Sequence, residues 1–168
     1  MTASKKDKDV VERRFCSFYI ADRLFGIDIS VVKEINDDFQ VTQIYHTPDE
    51  ISGYVNIRGQ IFLVLNMHRL MGMENTVAAE NAKLILFKVE LMENCGILVD
   101  DVGDVIDIAD DRIEDRRKGQ ASQKIVKERR RDRSQLGEGV CKLDDKLMVV
   151  VNPKNMLGYV EDKIVNRV

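Results

Sequence analysis

Apolar residues fall in short runs of four to seven along this chain, broken by turn residues, with few stretches at helical spacing. That is the pattern of a strand-rich domain. Residues 15–20 and 24–27 are apolar arms around Ala21-Asp22-Arg23, a hairpin pattern. Residues 30–35 suit a short helical turn capped by Ser30 or Asp28, and 41–44 read as a strand. Thr47-Pro48-Asp49-Glu50 has the composition of a helix start, with Pro in the first turn and acids at the positive end of the dipole. Residues 55–57 and 60–65 flank Arg58-Gly59, where Gly supplies the positive φ of a two-residue hairpin turn. The second arm is apolar on both faces, as expected of a strand enclosed in a small barrel. A brief helix over 67–71 ends at Gly72, and 73–81 read as a linker. Residues 84–89 then pair with 96–99, 105–108 follow, 140–143 pair with 146–151 across Asp144-Asp145, and 153–157 form the last helix.

These elements occur twice. Residues 53–72 lie over 139–158 without a gap: Ile57 meets Leu143, Arg58-Gly59 meets Asp144-Asp145, Asn66 meets Asn152, and Leu70-Met71-Gly72 meets Met156-Leu157-Gly158. Upstream, Gly26-Ile27-Asp28-Ile29 with Val32, Glu34 and Ile35 matches Gly96-Ile97-Leu98-Val99 with Val102, Asp104 and Val105. Solenoid periods run roughly 20–50 residues, so this longer repeat indicates one domain with two related halves. Many short strands and a duplicated hairpin indicate small closed barrels, one per repeat.

The matches are offset by 70 residues (26 to 96) and by 86 (53 to 139), which places an insertion of 16 residues within 112–135. From Arg112 to Arg133 ten basic residues stand against four acidic ones, a net +6 that leaves the remainder at −9. The run Lys127-Glu128-Arg129-Arg130-Arg131-Asp132-Arg133 reads first as a solvated loop or short helix. Arg129, Arg130 and Arg131 suit an electrostatic contact with a partner. Nucleic acid is the weaker alternative, because no aromatic side chains are interleaved for base stacking.

At 168 residues and 44% hydrophobic content, the chain can bury a sizeable core. No apolar run approaches the roughly 20 residues of a membrane span, and the polar start has no signal-peptide core. Cys16, Cys95 and Cys141 sit beside apolar runs without a Cys-x-x-Cys pair, as in a reduced cytoplasmic protein with buried thiols. His46 and His68 have no partner at metal-ligand spacing. The acidic strip Asp100-Asp101, Asp104, Asp107, Asp110-Asp111 lacks the spacing and central glycine of a calcium loop and reads as solvated. Phosphate-loop motifs are absent, and no Ser, Cys or Lys has an evident base partner. Enzyme readings, cofactors and metals thus find no support in the sequence.

Thr47-Pro48, Ile51-Ser52-Gly53-Tyr54-Val55-Asn56-Ile57-Arg58-Gly59 resembles the T-P-x-x-I-x-G-x-x-N-L-R-G core of the CheW family, the coupling proteins of bacterial chemotaxis. Phe25-Gly26-Ile27-Asp28-Ile29, Val32-Lys33-Glu34-Ile35 and Gly96-Ile97-Leu98-Val99-Asp100 fit the same family in order, so the likeness spans 15–157. The resemblance implies a mainly β fold of two intertwined SH3-like barrel subdomains with a few short helices and a pseudo-twofold repeat. Its boundaries would be a polar tail over 1–14, the domain over 15–159 with the basic insertion at about 112–135, and a tail over 160–168.

The same resemblance implies a non-enzymatic, cytoplasmic adaptor without cofactor or small-molecule substrate, recruited to membrane-associated receptor arrays. Its partners would be the cytoplasmic tips of chemoreceptors, held in a groove between the barrels, and the regulatory domain of a CheA-type histidine kinase. Other CheW-like domains would join ring-like assemblies. Arg58 at the hairpin tip is the leading interaction residue, since Arg is enriched in hot spots. Val32 and Glu34 match receptor-contact positions, though Val32 also reads as core and Glu34 as a solvated carboxylate. Ile35 reads as core. Asn56 reads more readily as a turn-supporting amide than as a contact. Where the family continues Pro-Val-x-Asp-Leu-Arg, this chain has Leu63-Val64-Leu65-Asn66-Met67-His68. That departure puts contacts of the strand end in question and raises the alternative of a coupling protein for another chemosensory pathway, such as pilus motility.

Overall fold

The computed structural model describes residues 11–74, 81–90, 94–115 and 136–166. The strands are β1 (Glu12–Ile20), β2 (Arg23–Asp28), β3 (Val32–Asn36), β4 (Ile51–Ile57), β5 (Gln60–Asn66), β6 (Lys83–Phe87), β7 (Cys95–Val99), β8 (Asp101–Ala109), β9 (Ile113–Asp115), β10 (Gly137–Lys142) and β11 (Leu147–Val151). Two helices accompany them, α1 (Met67–Leu70) and α2 (Pro153–Val165). Most of the expected linker and residues 116–135 of the basic segment, Arg129, Arg130 and Arg131 included, lie outside the described residues.

Every hairpin expected from the alternation is present: β1–β2, β4–β5, β6–β7 and β10–β11 pair antiparallel. Their assembly differs from one barrel per repeat. One sheet runs β8-β1-β2-β11-β10-β9, the other β3-β6-β7-β5-β4. Each therefore joins the upstream hairpin of one repeat to the downstream hairpin of the other. The two seams are the parallel pairings, Met148↔Leu24 to Val150↔Gly26 and Leu63↔Cys95 to Asn66↔Leu98. The cause is local: Asp28 caps a 3₁₀ turn over Ile29–Val31, its Oδ1 accepting from Ser30 N at 3.0 Å, and the chain leaves the first sheet to begin β3 in the second. Sequence similarity identifies related pieces but not where they pair.

Both sheets curl. In the six-stranded one the edge strands β8 and β9 are joined only by a 3₁₀ turn, Asp110–Arg112. In the five-stranded one Lys33 of edge strand β3 donates to Gln60 Oε1 at 3.0 Å, on the hairpin that forms the opposite edge. One apolar cluster belongs to the first sheet (Phe15, Leu24, Ile108, Cys141, Met148, Val150) and one to the second (Val55, Phe62, Val64, Leu84, Leu86). The largest is shared: Phe18, Ile27 and Val151 of one sheet meet Leu65, Phe87 and Ile97 of the other, with Met67 of α1 and Met156 and Val160 of α2.

Local expectations failed where the chain is short of room. Residues 47–50 form turns instead of a helix, closed by Ile51 N donating to Pro48 O (3.0 Å), because β4 already begins at Ile51. The strand expected over 41–44 is a single bridge, Thr42↔Tyr54. Ile35 is 42% exposed and not core. The last helix runs through Val165 and buries Val160, so positions expected as a tail from 160 continue it.

The repeat recurs in close contacts. A Cβ on Gly53 would lie 2.0 Å from the Thr42 carbonyl oxygen, and one on Gly139 2.8 Å from that of Glu114. Both glycines admit the neighbouring edge segment to the sheet. Gly53 also holds φ +144°. Gly53→Ala should cost about 3 kcal/mol or more by combining overpacking with backbone strain. Gly59→Ala, at φ +85° with open space around it, should cost about 1 kcal/mol. Urea titration of both variants at an unchanged m-value checks the ranking.

Candidate partner-binding surface

The β4–β5 hairpin turns through Arg58 (φ 51°) and Gly59 (φ 85°), both in the left-handed region that a type I′ turn requires. Asn56 Oδ1 accepts from Gly59 N at 2.8 Å and locks the turn. The expected supporting role of Asn56 is thus the observed one. Arg58 reaches across the barrel seam to Glu34 Oε2 on β3 while its side chain stays 72% exposed. The other carboxylate oxygen of Glu34 accepts from Asn36 Nδ2 at 2.8 Å. The hydrogen bond from the Asn36 amide, foremost, outweighs the opposing effect of burial and, with the Arg58 guanidinium and the Lys33 ammonium, holds the Glu34 carboxyl below the usual glutamate range.

Beside this pair, Gln60 accepts from Lys33 and donates to Asn94 Oδ1 at 3.1 Å. Lys33 Nζ stands 5.1 Å above the Phe62 ring. Ile35 and Ile61 are large apolar side chains left open on β3 and β5. Val32 is half-buried and packs against the shared core. The pairing of β3 with β6 shifts register between Val32 and Glu34, which breaks the simple alternation that would put both on one face. The structure thus brings Arg58, Glu34 and Asn56 together and sets Val32 at the junction of the sheets.

Asn66 and His68, the departures from the expected strand end, have structural partners. Asn66 Oδ1 caps α1 by accepting from Arg69 N (3.2 Å), as Asn152 caps α2 by accepting from Lys154 N (3.0 Å). His68 is buried and donates from Nε2 to Asp100 Oδ1 at 2.7 Å, while Asp100 Oδ2 accepts from Ala21 N at 2.5 Å. That chain of bonds ties α1 to the β1–β2 turn of the other sheet. The acidic strip is partly paired and not simply solvated: Asp107 meets Arg14 at 2.9 Å and Asp110 meets Arg13 at 3.7 Å.

Burial pushes the Cys95 thiol up to about 12 and raises those of Cys16 and Cys141. Burial thus disfavours the reactive thiolate form at all three. Sequence reasoning missed a buried ion pair between Glu50, ahead of β4, and Lys163 on α2. Its only signal was the spacing of Lys163 behind Met156 and Val160 on one helical stripe.

A CheW-like domain model matches residues 14–161. The chain belongs to the CheW-like domain family. The chemotaxis protein CheW of Klebsiella aerogenes is 33% identical over 112 residues, 67% of this chain and 67% of that protein. A probable chemotaxis protein CheW of Rhizobium etli is 23% identical over 163 residues, 97% of this chain and 99% of that one. Among solved structures, the scaffolding protein TtCheW from Thermoanaerobacter tengcongensis is similar with a TM-score of 0.69 and 27% identity, over 84% of this chain and 90% of that one. The two curled sheets of this CheW-like domain are accordingly the paired SH3-like subdomains expected, and the protein is a chemotaxis coupling adaptor. Among the described residues, no helix of the CheW-like domain is long and apolar enough to cross a membrane.

The Glu34 carboxyl should titrate below an ordinary glutamate in NMR, and either Asn36→Ala or Arg58→Ala should raise its pKa. Its folded-state pKa being depressed, the stabilisation it provides is full above the ordinary glutamate range and is lost as pH falls through the folded pKa. Arg58→Ala should therefore narrow the stability difference between neutral and acidic pH.

Proposed function

We propose that this adaptor couples the cytoplasmic tips of chemoreceptors to the regulatory domain of a CheA-type histidine kinase and performs no catalysis of its own. The observation that carries the reading is the exposed Arg58, set on a locked hairpin and paired with half-buried Glu34 on the edge strand β3, with Ile61 open on the same hairpin. Exposed Arg on a rigid hairpin that also carries an uncovered apolar side chain has the make-up of a protein-binding hot spot. A receptor helix fits the groove between the subdomains, with Val32 at its border, and the barrel ends take the kinase domain. Binding energy on each surface then fixes the partners' relative geometry, which is how an adaptor without chemistry controls a kinase. Recruitment to membrane-associated arrays, with other CheW-like domains alongside, follows from those contacts.

A different chemosensory pathway has no observation behind it, since a helix cap and a buried pair account for Asn66 and His68. The nucleic-acid reading rests on the basic insertion, Arg129, Arg130 and Arg131 included, against a chain of net charge −3.

Titration calorimetry with a chemoreceptor cytoplasmic fragment and with a CheA-type regulatory domain tests the reading. Both should bind the wild type, and Arg58→Glu should weaken at least one of them tenfold or more at an unchanged unfolding midpoint. Binding of neither by the wild type would contradict the function, and unaltered binding of both by the variant would remove Arg58 from it.

A further inference from the structure

The two repeats end differently. In the first, Gly72 adopts φ +77° and the chain leaves α1 after Leu70. Its counterpart Gly158 lies inside α2, which continues to Val165. Among the described residues, the arm beyond Gly158 has no counterpart in the first repeat. Only Val160 is fully buried in it, and Glu161, Asp162, Ile164 and Val165 are exposed. Tyr159 packs half-buried against the shared core, and Lys163 adds a polar attachment: its ammonium pairs with Glu50 Oε1 and stands 5.4 Å above the Tyr159 ring. Glu50 is 3% exposed, and its Oε2 has no hydrogen-bond partner among the described residues. The Glu50 carbonyl accepts from Asn66 N at 2.8 Å, at the cap of α1.

We propose that residues 159–165 form a releasable strap, hinged at Gly158 and latched by Lys163 on Glu50 across the junction of the two sheets. Three physical features converge on it. Glycine within a helix weakens it at that point. A buried ion pair with an unpaired carboxylate oxygen is held by its partner alone, because desolvation offsets much of the attraction. Val160 sits in the core shared by both sheets, so opening the strap unpacks part of the surface that sets their relative position. The strap and the junction are therefore energetically linked, and a partner that shifts one sheet against the other shifts the latch.

Hydrogen exchange on the full chain, read by mass spectrometry, tests this. In the wild type, amides of 160–165 should exchange as a unit and at least tenfold faster than those of 155–157. Lys163→Met should accelerate the strap tenfold or more and leave 155–157 unchanged. Gly158→Ala, whose added Cβ meets nothing within 4 Å, should slow the strap by roughly threefold. One rate for the whole of α2, or equal acceleration of α2 and the strands by Lys163→Met, would overturn the strap and leave the pair an ordinary element of global stability. Should Lys163→Met fail to fold, the wild type and Gly158→Ala still decide: no difference between the two halves of α2, or no slowing, overturns the proposal.

Discussion

The parallel seams β2–β11 and β5–β7 are the constraint on which the rest of the molecule depends. Each sheet is completed only by a hairpin from the other repeat, so neither half of the chain can satisfy its edge strands alone. An unpaired edge leaves a row of backbone donors and acceptors open, and the exchange closes both at once. It also draws the inward residues of both sheets and both helices into one shared core. Val32 at the junction of the sheets and the buried bonds that cross it take their positions from this exchange.

Comparison of the repeats separates what the fold requires from what differs between the halves. Gly53 and Gly139 occupy equivalent close approaches, and Asn66 and Asn152 cap equivalent helices. At the hairpin tips the equivalence stops. One repeat presents Arg58-Gly59, whose arginine pairs across its barrel seam with Glu34; the other presents Asp144-Asp145. The same scaffold thus carries hairpin tips of opposite charge. The Arg58 tip is also built at a backbone cost, with a non-glycine residue at φ 51°. Its turn is held by Asn56 and its side chain by Glu34.

What the sequence disclosed was local. The four hairpins, the Asn56 turn and the glycine-ended α1 follow from alternation and turn chemistry within a few residues. The exchange of hairpins was not legible, because parallel pairing joins segments far apart in the chain and leaves no mark on the spacing of either. The apparent helix start at Thr47-Pro48 obeyed composition, yet the onset of β4 at Ile51 left too few residues for a turn of helix. Exposure was misjudged at Ile35, where an apolar residue on an edge strand stays open. Lys163, within the expected tail over 160–168, is the partner of a buried carboxylate. In the candidate surface, Arg58 and Asn56 were readable from the hairpin motif, whereas the partner of Arg58 came from the curl of the sheet.

If the exchanged seams and the shared core make the two subdomains one cooperative unit, they must lose structure together. Residue-resolved NMR through a urea titration measures this directly, following amides packed only in one sheet's own cluster, such as Phe15 and Val150, against those of the other, such as Val64 and Leu84. One midpoint for all four is the predicted result. Two separated midpoints, with one sheet intact while the other unfolds, would contradict the account.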